Sequence, residues 1–504
     1  MFDINQLSRD TLAQLQKAVQ SQGFFSNSGI QGYDLSGLTS LVPVNVPARN
    51  NTSAFPRTTA PQGNQVAVWR ALLNVNANQS DAAVGANYAG TQTEFEEQDV
   101  FAPYRVLAKA SRVTLDQIAV AKGFADALAV SEIQTLNQLF ISQDIHIINS
   151  QGWALAVPAT PTLTAATTGG SIAASTDVYV KVAARSGANY FVGFASVDGT
   201  AATTSGASVA SAAANVTTSS TESTNSVTAS VPAVQGAAAY DWYVGTATSQ
   251  FYYTTTTVAS VTIETVPTAA QAIPTTLPLL SQLPPSSTPP TADTSASDNW
   301  YNGVIASSLG DYGAAGPVTP GSGTSSNATF IDNGGNAPVL SGGGIDILDK
   351  INDNIWSQVQ MSPTAYMVNS AQGDEISKLI LSDASATTFL PPTDADARTN
   401  LAGGGFIGRY VNRAAGGVPV PIEVHPHVAP GTIIGRTDRV PFPGSNIGSV
   451  FEVRTLFDTM RFNYASALSN GVLGGGPRFD YEIRSYETLV NRAPLAQAVA
   501  TNIA

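Results

Sequence analysis

A sustained helical period runs from Thr114 to Gly152. Leu115, Ile118, Ala125 and Leu128, then Ile133, Leu136, Leu139 and Phe140, recur mostly at helical spacing, and no proline interrupts them. Thr114 followed by Gln117 fits a capping box, Asp116 places an acid beside the first-turn amides, and Gly152 supplies a stop. The pattern predicts one helix over 114–152, about 55 Å long at 1.5 Å per residue, with Gly123 and a phase slip after Ala129 as places to bend.

Upstream, Val66–Val75 and Val100–Val113 read as strands. In the second, Tyr104, Val106, Ala108 and Ala110 alternate with Arg105, Leu107, Lys109 and Ser111, so one face is packed and the other less so. The stretch between them is polar and rich in small residues, with acids at Glu94, Glu96, Glu97 and Asp99. Together they predict a two-stranded flap over 64–98 that has little core beneath it and is stable mainly when laid on a neighbour. Before it, Ile4, Leu7, Leu15, Ala18 and Val19 give a short amphipathic helix ending near Gly23. The following segment has no period but carries Phe24, Phe25, Leu38, Leu41 and Val42, which favours an extended arm lying across another surface.

Downstream, the pattern changes. From Pro158 to Pro285 short alternating runs recur: Val178, Val180 and Val182; Val227, Ala229 and Val231; Tyr240, Trp242 and Val244; Ala259, Val261 and Ile263. Short strands over this length, one bearing aromatics, predict a two-sheet sandwich similar to immunoglobulin modules, inserted in a host domain and left through a proline-rich linker. Residues 306–344 read as Gly, Ser and Asn loops. A helix follows with Ile345, Leu348, Ile351 and Ile355 on one face, then a strand over TAYMVNS, a helix over DEISKLILS, and strands with tight turns around Gly417. Near the end Phe479, Tyr481 and Ile483 alternate with Arg478, Asp480, Glu482 and Arg484, which suits a sheet covered on one side by the long helix.

Composition narrows the function classes. Only 12% of the 504 residues are charged, against about a quarter in an average globular protein, and the net charge is -13 without a basic cluster. Neutralising phosphates requires grouped Lys and Arg, so nucleic-acid binding is excluded as the main task. Without Cys there is neither a disulfide framework nor a thiolate nucleophile. The N-terminus is charged where a signal peptide is apolar, and no apolar run reaches the ~18 residues of a spanning helix, so export through a signal sequence is not expected.

Candidate chemistry is thin. Gly403, Gly405 and Gly408 match GxGxxG but lack the flanking strand and helix of a dinucleotide site, and read as a turn. Glu423, His425 and His427 would share one face of a strand, a conceivable metal set that reads more simply as ordinary strand residues. His146 reads as a packed or capping residue. No catalytic residue, cofactor-binding residue or metal ligand is assigned, and no enzymatic activity is expected.

The order of these parts resembles the major capsid protein of tailed bacteriophages, the Hong Kong ninety-seven type of fold. An arm, a flap, a strand running into a spine helix, a mixed centre around TAYMVNS, the turn Gly417-Val418-Pro419-Val420 and a closing strand ending Asn491-Arg492-Ala493-Pro494 carry the likeness. It implies an α+β phage capsid fold: N-terminal arm 1–63, extended loop 64–98, peripheral domain 99–157 with the spine helix 114–152, axial domain 286–455, and return strands 456–504, with the all-β insertion at 158–285. It further implies a structural subunit of the virion, assembled in the host cytoplasm into hexamers and pentamers around double-stranded DNA. Its partners are then copies of itself, a separate scaffold and a portal protein, with weak nonspecific contact to the DNA and no membrane. The insertion would face outward, with host-surface glycans or neighbouring capsomers as targets. Residues expected at subunit interfaces are Phe24, Phe25, Trp69, Arg70, Glu94, Glu96, Glu97 and Arg112. A relative in this family welds subunits through a flap lysine; none lies between Asn64 and Asp99 here, so noncovalent contacts are expected. The alternative is another phage or surface-layer structural protein, or an adhesin carrying an immunoglobulin-like module.

Overall fold

A computed structural model of the chain describes residues 31–34, 55–60, 65–75, 96–121, 126–191, 206–268, 286–297, 299–313, 316–320, 329–341, 344–382, 407–442, 445–464 and 478–504, with positions 87 and 89. The architecture is mixed α and β, mostly strand. The chain divides into two units, one of residues 1–67, 102–147 and 452–490, the other of 68–101, 148–451 and 491–504. The predicted N-terminal helix, the tip of the flap, Phe24, Phe25, Glu94 and Gly403 to Gly405 lie outside the described residues.

In the first unit the predicted capping box forms. The Thr114 N–H donates to Gln117 Oε1 at 3.0 Å and the Gln117 N–H to Thr114 Oγ1 at 3.3 Å. The helix that follows is α1 (Leu115–Ala121); a second, α2 (Ala127–Asn149), begins after residues 122–125, which with Gly123 lie outside the described residues. The single helix expected over 114–152 is therefore two. Asp126 is the cause: its carboxylate accepts the N–H groups of Leu128 at 3.0 Å and Ala129 at 3.3 Å, so it caps a new helix.

α2 lies on a sheet ordered β1 (Gln31–Asp34), β24 (Phe451–Tyr464), β25 (Arg478–Asn491) and β5 (Arg105–Thr114), with β2 (Arg57–Thr59) also pairing β24. β5 and β25 run antiparallel from Thr114 opposite Arg478 to Arg105 opposite Glu487. The side facing α2 is polar as well as apolar. Ser131 Oγ lies 2.9 Å from Ser111 Oγ and 2.7 Å from Tyr481 Oη, and Gln143 donates to Glu487 at 3.1 Å. These contacts decide which face of β5 is the packed one. Leu107 and Val113 are buried while Val106 is 43% exposed, because Ser111 on the Leu107 side bonds the helix. On β25 the expected alternation is seen: Tyr481 and Ile483 are buried.

The second unit holds two sheets around one core. One is β11 (Gln250–Thr256), β10 (Ala237–Gly245), β7 (Asp177–Ser186) and β8 (Ala214–Thr217); the other is β12 (Ser260–Ile263), β9 (Ser226–Ser230) and β6 (Thr162–Ala166). Val178, Val180, Val182, Val227, Trp242 and Ile263 fill the space between them. Trp153, Leu155 and Ala306, from outside the strands, belong to the same core. On the other face of β7 and β10, Arg185 and Asp241 pair at 2.7 Å, both buried, and Thr255 donates to Asp241 at 2.6 Å. This pair is covered by the short helix α3 (Gly187–Phe191) and by segments 206–211 and 286–297, tied at Ala210 N–H to Pro290 O and Tyr252 N–H to Ser287 O.

The same unit contains a six-stranded sheet ordered β15 (Thr329–Asp332), β26 (Ala498–Thr501), β21 (Ile433–Arg436), β18 (Ala365–Val368), β20 (Val418–Val424) and β19 (Arg409–Asn412). The helix α5 (Asp346–Val359) buries Leu348, Ile351 and Ile355 against Tyr366, Val420, Ile433 and Ala498. α6 (Ser370–Ser382) follows β18. The described residues within 306–344 hold more regular structure than their glycine content suggests. They include most of the buried helix α4 (Val304–Leu309) and the ribbons β13 (Asp311–Gly313) with β14 (Gly316–Val318) and β16 (Leu340–Ser341) with β17 (Gly344–Ile345). A further ribbon pairs β22 (Val440–Phe442) with β23 (Ser445–Ile447).

Candidate functional site

The predicted flap is a two-stranded ribbon of β3 (Val66–Asn74) and β4 (Glu96–Pro103). Strand alternation gives it two unlike faces. Ala67, Trp69, Ala71 and Val100 are buried; Val68 is 55% and Phe101 46% exposed. The inner face is anchored within the second unit, where Trp69 Nε1 donates to Asn491 O at 3.0 Å and the Leu72 N–H to Arg492 O at 2.8 Å. Trp69 is thus held inside the chain. The outer face sets Arg70 against Asp99 at 2.9 Å and Glu97 at 3.2 Å, between the exposed Val68 and Phe101. Hydrogen bonding and charge from Asp99, then the charge of Glu97, raise the Arg70 pKa, so the cation is fixed. Glu96 is exposed at the start of β4. In the first unit Arg112 meets its direct cross-strand partner Asp480 at 2.9 Å on the side of the sheet away from α2.

The sequence brings three groups together that the structure separates. β20 ends at Val424; Glu423 is half-exposed and pairs with Arg436 at 3.5 Å, while His425 is buried after the strand. The chain then turns, and the His427 N–H donates to His425 Nδ1 at 3.1 Å, setting the two rings 5.5 Å apart. The common face expected for Glu423, His425 and His427 is lost because the strand stops before the first histidine. Gly408 accepts from the Ile422 N–H ahead of β19, as a strand-edge residue. His146 is buried in α2, and burial, assisted by the charge of Lys109, lowers its pKa to about 4.

Sequence reasoning missed two buried ion pairs, Arg185 with Asp241 and Glu132 with Arg461. Each joins residues far apart in the chain, and local spacing gives no sign of them.

No family model matches this chain, and no curated protein matches it. Solved structures do. The chain is similar to the capsid of an empty GTA particle at 6% identity, covering 98% of this chain and 99% of that one, with a TM-score of 0.39. It is similar to the capsid of cyanophage A-1(L) at 8% identity, with 96% of each chain covered and a TM-score of 0.41. The capsid of Myoviridae phage XM1 gives 9% identity, 95% of each chain and 0.34. All three scores lie below 0.5, and these likenesses do not establish a shared fold.

Proposed function

We propose that this chain is a structural shell subunit, a major capsid protein of the tailed-phage kind, which assembles into hexamers and pentamers around double-stranded DNA. The observation that carries the reading is the antiparallel register of β5 with β25 beneath α2. The sequence resemblance demanded that a strand near 100–113 and a strand near 476–490 join the spine helix in one domain. Hundreds of residues separate the two strands in the sequence, and they are direct partners. The ribbon β3 and β4 adds support: its inner face is anchored within the chain rather than on a neighbour alone, and its outer face leaves Val68 and Phe101 exposed for another copy.

In this reading the body built from β6 to β12 is an inserted immunoglobulin-like domain facing outward, with surface glycans or neighbouring capsomers as targets. The net charge of -13 keeps the lining from gripping DNA, by like-charge repulsion. A separate scaffold and a portal protein are partners in assembly, which takes place in the host cytoplasm, and the chain has no catalytic role.

Electron microscopy of the full chain, expressed alone and with a scaffold, tests this. Closed icosahedral particles are expected. Soluble monomers or planar arrays in both preparations would instead favour a surface-layer protein or adhesin.

A further inference from the structure

A small enclosed cavity lies in the second unit where the body of β6 to β12 meets the six-stranded sheet. Its volume is about 10 Å³. Asn149 and Gln151, at the exit of α2, line it from one side; Thr432, ahead of β21, and Thr501, at the end of β26, line it from another. Gly187 and Gly236 complete the wall from the side of the two-sheet body.

Three observations bear on what this space holds. Two lining residues that are at least nine-tenths buried carry polar atoms without a hydrogen-bond partner in the protein: Gln151 Nε2, on a residue 2% exposed, and Thr501 Oγ1, on a residue 5% exposed. An unmade bond at such a group costs about 1 to 3 kcal/mol, so two such groups on residues lining one cavity call for a partner. Next, both glycines let the backbone of the two-sheet body come close against the polar lining, which leaves only a small gap. A Cβ at Gly187 would stand 2.5 Å from Asn149 Oδ1, and one at Gly236, whose φ is 81°, would meet Trp153 at 2.8 Å and Gln151 Oε1 at 3.3 Å. The Gly187 distance also sets Asn149 Oδ1 beside the cavity wall, while its Nδ2 donates to His427 O at 2.7 Å. Last, the polar lining is neutral, without a carboxylate, imidazole or ammonium group, so it suits neither a metal ion nor an organic ion.

We propose that the cavity is a binding site for one structural water molecule, which joins the two-sheet body to the six-stranded sheet. About 10 Å³ is near the smallest volume that takes one water and is too little for any larger ligand. The water accepts from the Gln151 amide, donates to Thr501 Oγ1 and has Asn149 Oδ1 as a further acceptor, within the two to four bonds usual for a buried water. It adds a polar link beside the direct contacts at this seam, and it is independent of whether the chain forms a shell.

The test exploits a sign. Thr501→Val replaces the hydroxyl with a methyl of the same shape. If Thr501 Oγ1 bonds water, the exchange weakens folding, with roughly a fivefold fall in the ratio of folded to unfolded full-length chain in urea titration. If the hydroxyl has no partner, the exchange removes a desolvation penalty and leaves that ratio unchanged or higher, which overturns the proposal. Gln151→Leu is the second arm. With a shared water, the double variant loses less than the product of the two single losses; strictly multiplicative losses overturn it. Density for a water within hydrogen-bond distance of both Gln151 Nε2 and Thr501 Oγ1, in an experimental map that resolves ordered water, is the direct expected result, and an apolar void there is the opposite one.

Discussion

The Glu132 carboxylate and the Arg461 guanidinium meet at 2.6 Å beneath α2, with both side chains almost fully buried. The guanidinium also stands 4.7 Å from the centre of the Tyr481 ring, so helix, β24 and β25 converge on one cation. Burial raises the Glu132 pKa even though Arg461 pulls it down, which marks a pair whose desolvation is costly. Removing one partner is then worse than removing both. Glu132→Leu should cost about 3 to 5 kcal/mol by leaving a buried cation alone, while Glu132→Leu combined with Arg461→Met should cost much less than the two single changes together. Denaturant unfolding of the four proteins measures this; additive losses would mean the pair acts as two independent groups.

His146 makes folding depend on pH in a defined window. The folded chain keeps it neutral down to about 4, through burial first and Lys109 second, whereas the unfolded chain protonates near 6.5. Between these values the unfolded state binds more protons, so stability falls as pH drops from 6.5 toward 4, by about 3 kcal/mol in all. Glu132, with its raised pKa, works in the opposite sense at the acid end. Unfolding curves of the wild type against His146→Gln separate the two: the variant should lose the decline between pH 6.5 and 4, and an unchanged decline would assign it elsewhere.

How far the sequence could be read depended on the distance over which each contact acts. The capping box at Thr114 and Gln117, the α5 stripe and the alternation of Tyr481 and Ile483 are local patterns, and they appear as expected. Asp126 was legible as an acid but not as a cap, because apolar spacing continues on both sides of it. The alternation in β5 showed two unlike faces but not which of them is packed, since Ala and Ser are nearly equivalent in hydrophobic patterning and the Ser111 to Ser131 bond that decides the matter lies between strand and helix. Glu423, His425 and His427 failed as a set through one early strand end. α4 was hidden by glycine and serine around six residues that are all buried.

The body of β6 to β12 is tied to the rest of its unit by more than its two ends. Trp153 and Leu155 sit in its core, and Asn502, at φ 59°, accepts from the Ala259 N–H at 2.8 Å and donates to Asp332 at 2.7 Å. Asp332 in turn accepts from the Ala233 N–H at 2.9 Å. Deleting Pro158 to Pro285 should therefore yield an aggregating chain by uncovering Trp153 and Leu155. The same deletion carrying Trp153→Thr and Leu155→Thr should be soluble by sedimentation. Equal solubility of the two deletion variants would show that these two side chains find other cover.

Subunits of the proposed shell should separate completely on a denaturing gel. A lysine amine is the nucleophile such a covalent weld would need from the flap, and the segment from Asn64 to Asp99 has none. A single subunit band from assembled particles is expected. A ladder of linked subunits would place a weld elsewhere in the chain.

The outer face of the β3 and β4 ribbon should matter to assembly and not to folding. Val68 and Phe101 are both about half exposed, so Phe101→Asp or Val68→Asp removes little buried area and should shift subunit stability by no more than about 0.5 kcal/mol. In a shell the same positions lie against another copy, and a carboxylate desolvated there without a partner opposes each contact throughout the particle. Sedimentation should then show folded, unassembled subunits with unchanged circular dichroism. Normal particles from both variants would mean that this face stays in water and that Arg70, Glu97 and Asp99 hold the ribbon for the chain's own sake.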